Sequence, residues 1–513
     1  MLGGSLLLGA AGCTDKFEDF NTDPKAPTPE QMEGDFASTA TLLSAMMPVL
    51  VENQQNNYQW LDQMVGCEYG RMTAALNQWG SGTFYGTYNV GTWAGNSQYF
   101  NIGMPQIYTQ YFRVRDISGG KGLTFHWANL IRVAGTLRIS DCFGPVPFSM
   151  IGGGNSYQVA YDDMPDLYNA MFDELDKAIA GLKESVGSST TQAIFGQSDF
   201  IYGGDIAKWV KLANTTKLRM AMRLVNVNPT LAQQKAEEAV NDPGGLIATP
   251  DDAAWCSDLT RDGNPLYITN IEWGESGFSA DLSSYMNGYS DPRLPIYVSP
   301  GANGQYIGAR HGVFRYPTAD FQKYSKPNIV DKHKTPLLCI AACESWFARA
   351  EGALRGWNMG GSAKDLYEQG VKVSMEERGA SIGDYLNSTA TPANYVALDN
   401  SAYNIVAAST ICPKYDENAG FETNLERIIV QKWIGNFPNG WESWTDFRRT
   451  GYPKWFPVVN NLSTDGVTST RGVRRLAFPQ SEYNTNEANI REAVKMLGGP
   501  DNMATDLWWA KKN

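Results

Sequence analysis

Eight aromatic side chains in two Gly-rich regions of this 513-residue chain lie off any helical stripe and are its best candidates for chemistry. Trp79, Tyr85, Trp93 and Tyr99 fall in the run 77–104, and Trp273, Phe278, Tyr285 and Tyr289 in the run 255–325. A sugar ring presents C–H groups on one face. A flat aromatic ring can cover that face while nearby amides and carboxylates bond the hydroxyls. Asn77, Gln78, Asn89, Asn96 and Glu275 are suitable neighbours. A minority of the eight rings is expected to stack on ligand, the others packing their own loops together. Trp79, Tyr85, Trp93, Trp273, Tyr285 and Tyr289 are the candidate ligand-binding residues.

Catalytic patterns are missing. His126, His311 and His333 are far apart, and no HExxH helix, zinc spacing, P-loop or GxSxG elbow occurs. No catalytic residue is therefore nominated and a non-enzyme is expected. The 54 acidic residues still supply many carboxylate pairs of the kind a glycosidase uses, so a surface all-α glycoside hydrolase stays as an alternative. No cofactor is expected. Loop carboxylates leave Ca2+ open, without an EF-hand-like loop to hold it. Cys339 and Cys343, four apart on a predicted helix, read as buried thiols rather than metal ligands. Asp446 and Arg449 read as a local ion pair in preference to Arg448 and Arg449 as ligands for an acidic sugar, and Asp291 and Arg293 as another in preference to a direct ligand role. Trp508 and Trp509 are expected to dock into the core.

The formal charge of -12 and a pI near 4.9, with no Lys/Arg block, argue against nucleic acid. No later segment has the 18 consecutive apolar residues of a spanning helix, so membrane attachment would rest on lipid alone. The apolar run Leu2–Gly12 is short and gives way abruptly to Asp15, Lys16, Glu18 and Asp19, as in a cleaved export signal. Cys13 at that junction resembles the lipobox of bacterial lipoproteins, in which the thiol is acylated. Ala10 stands where such motifs carry Leu, and no Lys or Arg precedes the run. The expected organisation is a signal segment at 1–12, a lipidated tether at 13–30 and one binding domain at 31–513.

Helices must position the loops. A helical pattern starts near Phe36 and continues through Leu43, Met47 and Leu50. The run 77–104 alternates Gly with aromatics and predicts an irregular loop. Asp163 and Pro165 open a helix with the stripe Leu167, Met171, Leu175, Ala178 and Leu182. Asp205 caps a second, with Trp209, Ala213, Thr216, Met220 and Leu224 on one face. Asn228-Pro229 opens a third, which stops at Asp242-Pro-Gly-Gly. Leu337–Arg355 reads as a buried helix that pairs with one from Ser362 to about Arg378, in a hairpin of roughly tetratricopeptide size. Thr423-Asn-Leu-Glu426 reads as a capping box opening a helix through Trp433, and another helix runs from Trp441 to Arg449. Short strands are expected at Leu294–Val298 and Gly312–Tyr316. No strand–helix alternation appears, so the fold class is mainly α.

Several segments together resemble the SusD/RagB family, the surface glycan-binding lipoproteins of Bacteroidetes, and in particular its SusD-like second subfamily. They are the acidic leader Cys13–Pro24, Asp141-Cys-Phe-Gly-Pro-Val-Pro-Phe148, Tyr161-Asp-Asp, Lys208–Arg223, Asp291-Pro-Arg-Leu294, Ala350–Trp357, Trp444–Pro453 and the closing Leu507-Trp-Trp509. The resemblance implies a mainly α, SusD-like fold, with tetratricopeptide-like helix pairs as scaffold and long irregular loops as binding face. It implies a lipid-anchored protein at the outer-membrane surface that binds oligosaccharide and delivers it to a SusC-like TonB-dependent transporter. Peptide capture for the same kind of transporter is the alternative within this architecture. A periplasmic solute receptor, which would carry no acyl group, is a further one.

Overall fold

The computed structural model describes residues 37–77, 85–90, 95–153, 158–188, 195–259, 262–314, 316–398 and 400–511. Its longer helices are α1 (Ala37–Met46), α2 (Gly95–Ser118), α3 (Gly122–Phe143), α4 (Met164–Lys183), α5 (Ile206–Arg223), α6 (Pro229–Asn241), α7 (Ala280–Gly288), α8 (Cys343–Leu354), α9 (Ala363–Glu377), α10 (Phe421–Gly435), α11 (Gly440–Thr450) and α12 (Glu487–Leu497). Among the described residues six short strands, β1 (Thr73–Ala75), β2 (Ala254–Cys256), β3 (Ser276–Phe278), β4 (Val298–Ser299), β5 (Lys326–Pro327) and β6 (Leu337–Ile340), pair as β1–β3, β2–β6 and β4–β5, each antiparallel. Consecutive helices pack side by side, α2 on α3, α3 on α4, α5 on α6 and α8 on α9, and α8 also meets α10. The fold is mainly α.

The helix starts follow local chemistry. Asp163 accepts the N–H of Met164, Asp205 those of Ala207 and Lys208, Asn228 that of Leu231 and Ser362 that of Asp365, so each side chain satisfies a donor that the first turn leaves open. Behind the first of these caps, all five predicted stripe residues of α4 are buried. Gly451, with φ +87°, closes α11 in the left-handed conformation that glycine adopts at little cost.

Tertiary packing changed other segments. Residues 95–104, expected in a loop, are the first turns of α2. Phe100, Met104, Ile107, Tyr111 and Val114 bury a helical stripe against α3, which outweighs the poor propensity of Gly and aromatics. The expected helix 337–355 splits: Leu337–Ile340 is strand β6, because β2 supplies antiparallel backbone partners, and only Cys343–Leu354 is helical. A short apolar run suits a buried strand as well as a helix. α10 begins at Phe421, before the expected capping box. Its acid Glu426 is instead taken by Ser409 Oγ and by Lys454 at 2.8 Å. Leu294–Tyr297 is a helical turn leading into β4, and Gly312 to Phe314 is a turn without strand pairing.

Two features hold the centre. A π-helical segment, Gln59–Cys67, crosses the start of α11 at backbone contact: a Cβ on Gly440 would stand 2.0 Å from the Gly66 carbonyl oxygen. Only glycine admits that approach. Around it runs a buried charge network. Arg223 bonds Asp141 at 3.1 Å and Glu442 at 2.6 Å, Lys432 bonds Asp446 at 2.8 Å, and Arg449 joins Asp446 at 2.9 Å to Glu351. Each charge is paired, the condition under which burying it is tolerable.

Candidate functional site

The two loop regions meet at one sheet. Thr73, Ala74 and Ala75 pair with Phe278, Gly277 and Ser276. The N–H groups of Leu76 and Asn77 then both donate to the Glu275 carbonyl, at 2.8 and 3.2 Å. Behind β1, His311 is buried with Nε2 at 2.9 Å from the Thr73 carbonyl and Nδ1 at 3.2 Å from Asp281. Val459 and Asn460 donate to the carbonyls of His311 and Gly312, and Leu462 to that of Thr87. Under these loops lies a small second core of Ala74, Leu76, Ala309, Val313, Tyr316, Phe321 and Tyr324. The surface over this core is made from loops, the usual seat of binding residues.

Two described rings stand out at its rim. Trp273, 39 % exposed, ends the π-helical turn Ile268–Glu272. Gly274 follows with φ +67°, its Cβ direction 3.5 Å from the Phe321 ring of the small core. Phe314, 52 % exposed, follows Val313 of the same core after a turn at Gly312, φ +75°. Exposed Asn77 donates its N–H to the carbonyl of Glu275, two residues along the chain from Trp273.

The other predicted rings fare differently. Trp79 and Trp93 lie outside the described residues, as does Cys13. Tyr85, Tyr285 and Tyr289 are buried, as are Tyr99 and Phe278, so their expected role as platforms is corrected. Tyr285 packs edge-on against Trp433 at 5.4 Å and donates to the Lys454 carbonyl; Tyr289 donates to that of Ile411. Tyr99 lies against Trp441, centroids 4.8 Å apart, Phe278 against Phe437, and Tyr85 against Tyr69. Burial pushes the phenols of Tyr85, Tyr99, Tyr285 and Tyr289 well above the ordinary tyrosine range. The reason for two of them was legible: Leu282, Tyr285, Met286 and Tyr289 form an i, i+3, i+4, i+7 stripe, and Ser279 caps the helix by accepting the Leu282 N–H. Phe314 was missed because 312–316 read as a strand.

Of the proposed polar neighbours, Glu275 is buried and engaged by Gln59 and, at 3.4 Å, by Gln63. Asn89 is half-buried; Gln78 and the side chain of Asn96 lie outside the description. Arg449 is fully buried in the charge network, Arg448 is fully buried with its guanidinium donating to the backbone carbonyls of Asp141 and Arg474, so neither can meet a ligand, and Arg293 is locked to buried Asp291 at 2.6 Å. Trp509 is buried and Trp508 half-buried, its ring 6.0 Å from Tyr168. Cys339 and Cys343 are both buried, one on β6 and the other on α8. Among the described residues no group of three or more His, Cys, Asp or Glu could hold a metal, and no helix is long and apolar enough to cross a membrane.

Residues 19–510 match the family model described as SusD-like: SusD and RagB outer membrane lipoprotein. Among solved structures, a SusD-like protein from Bacteroides thetaiotaomicron is 38 % identical, with TM-score 0.87 over 93 % of this chain and 99 % of that one. A SusD homologue from Bacteroides uniformis is 36 % identical, with TM-score 0.85 over the same shares. A chitin-binding SusD homologue from Flavobacterium johnsoniae is 34 % identical, with TM-score 0.86 over 94 % of this chain and 99 % of that one. No curated protein matches the chain.

Proposed function

Because the chain belongs to the SusD-like family of outer-membrane lipoproteins, we propose that it is a surface-anchored, non-catalytic carbohydrate-binding protein that captures oligosaccharide and passes it to a SusC-like TonB-dependent transporter. The observation that carries this reading is the pair of exposed rings, Trp273 and Phe314, on a face built from cross-linked loops. Rings held in place before ligand arrives lose little entropy on binding, so a weak contact with a sugar face retains its value. Holding cargo beside a pore also raises its local concentration, and modest affinity then suffices. The chitin-binding relative, similar over nearly the whole chain, supports carbohydrate as the ligand class. Anchoring through an acylated Cys13 belongs to the same proposal.

The test is binding of purified protein to a glycan array and, in parallel, to a peptide library. Soluble products are assayed for new reducing ends. The proposal expects glycan binding that Trp273→Ala weakens at least tenfold, with no reducing ends released. Peptide binding without any glycan binding overturns it, as does sustained turnover abolished by changing one carboxylate.

A further inference from the structure

An open pocket of about 430 Å3, whose lining includes neither Trp273 nor Phe314, lies between α7 and the segments 304–307 and 393–396. That volume falls in the range of small-ligand sites, about 300–1,000 Å3. Its floor belongs to a third small core, Ala280, Ile307, Tyr395 and Phe456. None of its eleven lining residues carries a charge. In a chain with 54 acidic and 42 basic residues, an uncharged pocket of this size selects against ionic ligands.

The polar groups are half-used, and that fixes what remains. Asn287 spends its amide N–H groups on the carbonyls of Ser283 at 2.8 Å and Tyr306 at 2.7 Å, which leaves Oδ1 as an acceptor. Asn394 spends Oδ1 on the Ala407 N–H at 2.9 Å, which leaves its NH2 as a donor. In each case the bonded half holds the free half in orientation. Exposed Gln305 adds both kinds of group, and half-buried Tyr306 and Val396, 65 % exposed, add apolar surface. Oriented acceptor, oriented donor and apolar contact without charge match a pyranose, which shows hydroxyls at its edge and C–H groups on its face.

We propose that this pocket is a second saccharide site, selective for a neutral mono- or disaccharide unit and separate from the Trp273–Phe314 rim. It rests on the carbohydrate-binding reading above and deepens it. Two saccharide sites on one protein let a polymer long enough to span them engage both, the second contact being effectively intramolecular.

The experiment uses maltose, cellobiose, lactose, N,N′-diacetylchitobiose and glucuronic acid as probes, each titrated by saturation-transfer NMR. The proteins are wild type, Trp273→Ala and the double variant Gln305→Ala/Val396→Trp, whose exposed positions spare the core, with circular dichroism confirming the fold of each. The expected result is that at least one neutral disaccharide binds, that the double variant weakens it at least tenfold while Trp273→Ala changes it less than threefold, and that glucuronic acid does not bind. Loss of disaccharide binding in Trp273→Ala alone, or equal binding of glucuronic acid, overturns the pocket and leaves the carbohydrate reading standing. If polysaccharide binds but no disaccharide does, the pocket is again overturned. Failure of every saccharide overturns both.

Discussion

His311 Nε2 donates to the carbonyl oxygen of Thr73 at 2.9 Å, and this buried bond fastens the second loop region to strand β1, just ahead of the first. The same ring places Nδ1 3.2 Å from Asp281 on α7, so one imidazole spans a strand, a turn and a helix. His311→Ala would remove no exposed ring yet take the imidazole from Asp281, which would keep only the Phe456 N–H at 2.6 Å. The expected outcome is glycan affinity reduced at least fivefold by loss of positioning, read by isothermal titration. His311→Gln, which can still reach Thr73, recovers part of it.

Exposed and buried rings should separate cleanly in their effects. Trp273→Ala and Phe314→Ala are expected to weaken glycan binding while stability changes by no more than about 0.5 kcal/mol, the usual range for surface positions. Tyr285→Ala, which empties a fully packed site against Trp433, is expected to cost about 3–5 kcal/mol in urea unfolding.

Glu351 gives the acid limb of stability. Burial opposes its ionisation, but Arg449, with Arg355 adding to it, holds the carboxyl down to about 2. A carboxylate whose folded value lies below its ordinary 4.5 contributes stability above pH 4.5 and loses it as pH falls towards 2, in amount about 3 kcal/mol. Arg449→Ala should cost about 3–5 kcal/mol at pH 7, because it breaks a buried pair, and should flatten this acid limb in unfolding measured against pH.

Lys326 acts at the other end of the scale. Desolvation pushes its ammonium down to about 7, and Nζ donates to the Ser276 carbonyl at 2.6 Å. The unfolded chain then binds the proton up to about 10.5 while the folded protein releases it above about 7. Stability therefore rises with pH across that window, by an amount on the order of 5 kcal/mol. Below pH 7 the folded state bears the full cost of a buried charge. Lys326→Met should remove the rise, as followed by urea midpoints between pH 6.5 and 10.

Thiol reactivity should be confined to one position among the described cysteines. Burial pushes Cys67, Cys256 and Cys343 up to about 12, and Cys142 and Cys339 are raised well above the ordinary value as well. Only Cys412 is partly exposed. Native protein treated with a disulfide reagent at pH 8 should label Cys412 quickly and the other five only on unfolding, because the thiolate is the reactive form.

The amino-acid sequence by itself determined the helix starts at Asp163, Asp205, Asn228 and Ser362, since a capping side chain and the donor it satisfies lie within a few residues. It determined the mainly α class and the ion pairs Asp291–Arg293 and Asp446–Arg449, whose partners are neighbours along the chain. Tertiary structure decided which aromatic rings face solvent. Tyr285 is buried because Trp433, on a helix far along the chain, covers it, whereas Trp273 stays exposed because Gly274 turns it onto the rim of a small core assembled from the distant stretches 74–76 and 309–324. It also decided that Leu337–Ile340 is a strand, because the hydrogen bonds that make it one come from β2. Local chemistry is legible where its partners are close in sequence; exposure is a property of everything else that folds nearby.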